Sequence, residues 1–259
     1  MRLSTLLLSL LVFCLVIGCT PESTQVVIKK VPRSQRVGLM VLNFKNNTLV
    51  SRAKEFQPWE FGISSMVMTD LESVGLFNII SKERLKDILD QMAFQQYGFV
   101  DEKEAAKIGK IVAAKFLLTG AFMELNGHLR IEAQVFSVER GMQLGAAEVT
   151  GKTDTFFDME KKLVVKLLNY MDVMLNTYEM DLISKNIETR SIDASLNNYA
   201  GEVALLRADE LKKKGEVANA ADMIEEAKNN FRTALIHDPN YERAKRNLAK
   251  LVMAIPMTL

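Results

Sequence analysis

The feature that most limits what this chain can fold into is the dipeptide Asn126-Gly127, set between two apolar runs. A two-residue type I′ turn needs positive φ at both central positions, which Asn and Gly tolerate best. Residues 115–124 read as the strand that enters this turn. After it, Leu129, Ile131, Ala133 and Val135 alternate with His128, Arg130, Glu132 and Gln134, the period of a half-buried strand. Glu139-Arg140-Gly141 supplies a second turn, into a third strand over residues 142–150. Three consecutive antiparallel strands are therefore expected, and the remaining elements must pack against them.

Val37, Leu39 and Val41 alternate with Gly38, Met40 and Leu42, so both faces are apolar and this strand should be buried on two sides. Residues 59–74 carry Phe61, Ile63, Met66, Val67, Leu71 and Val74 at helical spacing, and Gly75 stops them. Residues 76–80 read as a short strand. Ser81 would cap a helix through Leu85, Ile88, Leu89 and Met92. Asp101 with Glu104 has the spacing of a capping box opening a third helix. A long amphipathic helix is expected over residues 156–178. The order β-α-β-α-α-β-β-β-α gives an α+β fold class, a mixed sheet with helices packed on it.

Ahead of this domain lie Arg2 and an almost wholly apolar run over residues 3–17. The run has the length of a secretory h-region and is short for a membrane span, which needs roughly 20 apolar residues. It ends in Val16-Ile17-Gly18-Cys19, which resembles the lipobox of bacterial lipoprotein precursors. The resemblance implies cleavage before Cys19 and acylation of that cysteine. Residues 1–18 are then a signal peptide and residues 19–35, with Pro21 and Pro32, a polar tether. Cys14 lies in the signal, so an acylated Cys19 leaves no thiol for disulfide or redox chemistry. Arg2 accounts for the net charge of +1, and the chain after Gly18 is formally neutral. Such a balance carries no electrostatic footprint for nucleic acid. Thr20 after the cysteine is similar to lipoproteins sorted to the outer membrane.

Residues 36–180 resemble the periplasmic domain of the curli secretion lipoprotein family, the CsgG type. The resemblance rests on the strand over residues 37–44, on Asp70-Leu71, on residues 75–80, on Glu83-Arg84-Leu85 and on residues 113–120. In channel-forming members, long hairpins interrupt this domain and build an outer-membrane barrel. Here Asn126-Gly127 closes one such place with a tight turn, and polar residues 150–158 fill the other. The resemblance thus implies a periplasmic scaffold rather than a pore.

Residues 191–259 read as an all-α domain resembling a tetratricopeptide (TPR) hairpin. Leu211, Gly215, Ala227, Phe231, Ala234 and Pro239 sit at the repeat's offsets, with Gly215 placed where two helices would cross closely. Such a fragment cannot bury its own faces, so it must pack on the first domain, on its own copy or on a partner. Leu211, Gly215, Ala227, Phe231 and Ala234, with Trp59 and Phe61, are the candidate partner-binding set; core packing is the favoured alternative for Trp59 and Phe61.

No catalytic residues, metal ligands or cofactor are expected. His128 and His237 lie in different domains without ligand spacing. Glycine loops for phosphate and nucleophile elbows are missing from the sequence. Asp70 with Glu72, and Glu225 with Glu226, read as solvated helix faces. The expectation is a lipid-anchored, non-enzymatic envelope scaffold or assembly factor whose partners are other envelope proteins, with a homo-oligomer left open. The alternative is an accessory subunit of a curli-like secretion or export channel.

Overall fold

The computed structural model describes residues 31–32, 35–81 and 101–253. Cys19, the lipobox and the helix expected after Ser81 lie outside the described residues. The sheet has six strands in the order β3-β1-β4-β5-β6, with β2 paired to β4. β1 (Val37–Val41) lies between β3 (Phe77–Ile79) and β4 (Phe116–Leu125), parallel to both. β4, β5 (His128–Ser137) and β6 (Met142–Lys152) form the expected antiparallel meander, and β2 (Lys45–Asn46) runs parallel to β4. Asn126 and Gly127 have φ of 52° and 80°, as a type I′ turn requires, and Leu125 pairs with His128 across it. The fold is α+β with a mixed sheet, in agreement with the sequence reading.

Alternation in the strands divides the core between the two sheet faces. Leu39, Val41, Leu118, Ile131 and Val135 face one layer of apolar packing. That layer is completed by α2 (Trp59–Ser73) and α4 (Phe156–Tyr170), and the short α1 (Val50–Phe56) adds Phe56. Met40, Leu42, Leu117 and Phe136 face the other layer, where Ile108 of α3 (Glu102–Ile111) packs. β1 is thus buried on both sides, as its sequence demands. The capping box of α3 is formed: the Glu104 N–H donates to Asp101 Oδ1 at 2.8 Å, and the Asp101 N–H donates to Glu104 Oε2 at 3.2 Å.

The single helix expected over residues 156–178 is two helices. α4 ends at Tyr170, Asp172 takes φ of 58°, and the Val173 N–H closes on the Leu168 carbonyl at 3.0 Å. Asn176 then caps α5 (Thr177–Lys185) through a second capping box with Glu179. The apolar spacing continues across this break through Met171, Met174 and Tyr178, yet of these only Met171 is buried and Met174 is 93% exposed. Local capping chemistry overrode the periodicity.

A run of helices follows: α6 (Ile192–Lys213), α7 (Val217–His237) and α8 (Glu242–Met253). The offset placed at a helix crossing, Gly215, instead occupies the α6–α7 turn with φ of 81° and open space where a side chain would stand. The close approach is at Gly201, where an added Cβ would lie 2.5 Å from the Phe231 ring. Gly215 therefore serves a left-handed turn and not a helix crossing, and α6 and α7, of 22 and 21 residues, pack through Gly201.

Candidate functional site

Helices α6 and α8 are joined to α2 by polar contacts inside otherwise apolar packing. Trp59 Nε1 donates to Ser195 Oγ at 3.2 Å. Arg243 of α8 donates to Glu202 at 2.8 Å and to Ser65 Oγ at 2.8 Å, and lies 3.2 Å from Glu188. Its guanidinium sits over the Tyr199 ring, 5.3 Å from the centroid. Arginine suits this position because its planar fork can serve several acceptors while stacking on an aromatic face.

Beneath these contacts lies a buried ionic cluster. Lys161 Nζ donates to Asp70 Oδ2 at 2.7 Å, and Asn186 Nδ2 donates to Asp70 Oδ1 at 2.6 Å. Glu160 is fully buried beside them. The Lys161 ammonium is 2.9 Å from Glu160 Oε2, but neither Glu160 oxygen has a well-directed hydrogen bond. Burial, reinforced by the Asp70 carboxylate, pushes the Glu160 carboxyl up to about 8. Burial likewise raises Asp70, with Lys161 opposing the shift. Burial works against the Lys161 charge, but Glu160 and Asp70 outweigh it and raise its pKa. The arrangement is an Asp70–Lys161 ion pair with the Glu160 carboxyl, whose pKa burial raises, at its side. An adjoining cavity of about 20 Å³, lined by Asp70, Lys161, Asn186 and Arg243, has room for one water.

Asp70 is therefore not on a solvated face, as its sequence neighbourhood suggested. The signal was present: Asp70 lies three residues after Val67, and Glu160 lies four residues from both Phe156 and Val164. Polar residues falling on a helix's apolar stripe are buried polar residues.

The outward side of α4 offers a different kind of site. A groove of about 370 Å³ runs between the edge strand β6 and α5, floored by Val149, Val165, Met180 and Ile183 and rimmed by Lys162 and Lys166. Lys166 Nζ donates to the main-chain carbonyl of Glu148 in β6 at 2.8 Å.

A family model described as "Curli production assembly/transport component CsgG" matches residues 22–150. The chain carries a CsgG-family domain. Solved structures similar to it share little sequence. The C-terminal domain of LpoB from Escherichia coli is 18% identical with a TM-score of 0.36, covering 45% of this chain and 83% of that one. The lipoprotein GNA1162 from Neisseria meningitidis is 12% identical with a TM-score of 0.36, covering 54% and 99%. A PelC dodecamer from Paraburkholderia phytofirmans is 13% identical with a TM-score of 0.35, covering 56% and 92%. No curated protein matches the chain.

The match to the CsgG family ends inside β6, so the groove lies where the family domain's last matched strand meets the helices that follow it. The side chains singled out from sequence lie elsewhere. Trp59, Phe61, Ala227, Phe231 and Ala234 are taken up by the chain's own packing, Leu211 is half-buried, and Gly215 forms the turn. Trp59 stacks on Phe156 at 4.1 Å between centroids. His128 is exposed beside the hairpin turn, and His237 ends α7, 3.8 Å from Asp193. Among the described residues, no group of three His, Cys, Asp or Glu side chains is placed to hold a metal ion. Among the same residues, no helix is long and apolar enough to cross a membrane.

Proposed function

We propose that this chain is a lipid-anchored protein of the bacterial cell envelope that works by holding other envelope proteins, without catalysing a reaction. The observation that carries the reading is the CsgG-family match, whose family is described as a curli assembly and transport component. The Val16-Ile17-Gly18-Cys19 run supports a lipid on Cys19 facing the periplasm, and Thr20 supports sorting to the outer membrane. The two-residue turn at Asn126-Gly127 and the three-residue turn Thr153–Thr155 between β6 and α4 support a scaffold over a pore. A barrel strand needs about 9–11 residues, and neither connection has that length. The helices after residue 191 are proposed to be a holding surface added to the domain over residues 36–180.

The second reading, an accessory subunit of a secretion or export channel, is favoured by the transport wording of the family. Affinity capture of the intact lipidated protein from detergent-solubilised envelopes separates the two. A stable set of envelope proteins without a pore supports the scaffold. Co-purification with a secretion pore at fixed stoichiometry supports the channel subunit. Hydrolytic turnover lost on single-residue substitution would overturn both.

A further inference from the structure

Among the described residues, β6 forms one edge of the sheet, opposite β3, and at 11 residues is its longest strand. The Lys166–Glu148 bond shows which way its backbone points: the Glu148 carbonyl faces away from β5. Successive residues of an antiparallel strand alternate in direction. Ala146, paired to Gln134, and Thr150, paired to Arg130, therefore present their N–H and C=O groups on the same outer side as Glu148. Side chains at Ala146 and Thr150 are small, and both residues are exposed. Beside this edge, on the face covered by α4, the groove supplies an apolar floor at Val149, Val165, Met180 and Ile183.

We propose that the β6 edge and its groove take up an extended segment of a partner protein as a further strand, one face of that segment carrying apolar and acidic side chains. Main-chain bonds to Ala146, Glu148 and Thr150 give the affinity, and the groove reads alternate side chains. The acidic requirement follows from the rim. Lys162 and Lys166 are exposed on α4. The nearby carboxylate Asp158 is already held by both guanidinium nitrogens of Arg190. Glu148 is held by Arg130. When the partner's N–H takes the Glu148 carbonyl, Lys166 is released to meet a carboxylate. Lysines do protect sheet edges from pairing. Lys166 covers one carbonyl of the edge, however, and protection alone gives no account of an apolar groove alongside. A second copy is the wrong occupant: pairing two β6 edges antiparallel would set Lys162 and Lys166 of each copy against their twins, like charge to like.

This inference rests on the holding role proposed above, but its test uses purified protein and does not depend on the envelope. The probe is a fluorescent nine-residue peptide in which every second residue is Thr and the others alternate Val and Glu. Saturable binding is expected, with amide exchange slowed at Ala146 and Thr150. Lys162→Glu with Lys166→Glu should weaken binding at least tenfold. Thr150→Pro should abolish it while leaving the fold intact, because proline is tolerated where the edge N–H faces solvent. A peptide N-methylated on the alternate residues whose N–H groups face β6 should not bind, and methylation of the other set should be tolerated. The proposal is overturned by absence of saturable binding to millimolar peptide, by equal binding when Lys replaces Glu in the peptide, or by exchange protection away from β6. Self-association that Thr150→Pro removes would make a second copy the occupant and overturn it as well. Failure here with a stable set of captured envelope partners would leave the scaffold standing and remove only this surface.

Discussion

Glu160→Gln should make the protein more stable at pH 8 and flatten its response to pH. The carboxyl is fully buried and its pKa rises from 4.5 to about 8 through burial and the neighbouring Asp70. A raised carboxyl pKa means the native state holds a proton that the unfolded chain releases. The stability it contributes is fully present below about pH 4.5 and is lost as pH rises to about 8. That shift corresponds to about 5 kcal/mol as an upper bound. Relaxation and water entry into a buried site cut such figures, so ~1–3 kcal/mol is the working expectation. Asp70, also raised, acts in the same direction from about pH 3.8 upward. Lys161, raised above its usual 10.5, keeps its charge across this window. Glutamine preserves the shape and can donate to Asp70, but it takes up no proton. Urea unfolding at pH 5, 6, 7 and 8 reads the effect. With a slope of about 2 kcal/mol per molar urea, a gain of ~2 kcal/mol moves the midpoint by ~1 M at pH 8. The variant should gain little at pH 5. A wild-type midpoint that rises from pH 5 to 8, or a variant that loses stability at pH 8, would refute an uncharged Glu160.

Two further perturbations test the helical region. Gly201→Ala should cost ~1–3 kcal/mol in thermal or urea unfolding, because its Cβ would press on Phe231 at 2.5 Å. Gly215→Ala should cost only ~1 kcal/mol, from a left-handed φ of 81° in open space, and the reverse ranking would restore the helix crossing to Gly215. Arg243→Met should cost ~2–4 kcal/mol by leaving half-buried Glu202 without its cation and Glu188 with Arg246 alone. Limited proteolysis should then cut first within residues 186–253, and an unchanged digestion pattern would deny Arg243 a role in joining α6 and α8 to α2.

Where information was local, the sequence was legible. Asn126-Gly127 set a hairpin register, Asp101 and Glu104 set a cap, and the doubly apolar run at residues 37–42 set a buried central strand. The break at Asp172 was hidden because Met171 and Met174 keep helical spacing through it, although the deciding Asn176–Glu179 cap is itself local. The helix crossing was assigned to Gly215 and belongs to Gly201, because only the third dimension brings Phe231 onto Gly201. The ionic cluster joins residues about 90 positions apart, so its partners could not be read from spacing, although its polar members stood on apolar stripes. The groove beside β6 depends on α5 folding back after the unexpected break, and it was not legible at all.

The central claim, anchorage of this CsgG-family domain in the envelope through Cys19, is tested most directly by metabolic labelling with a fatty-acid analogue. Wild-type protein and Cys19→Ser should be labelled in cells and separated into membrane and soluble fractions. The wild type should carry label and sediment with membranes, and Cys19→Ser should carry none and leave the membrane fraction or persist as uncleaved precursor. Label on Cys19→Ser, or unlabelled wild type in the cytosol, would contradict the account.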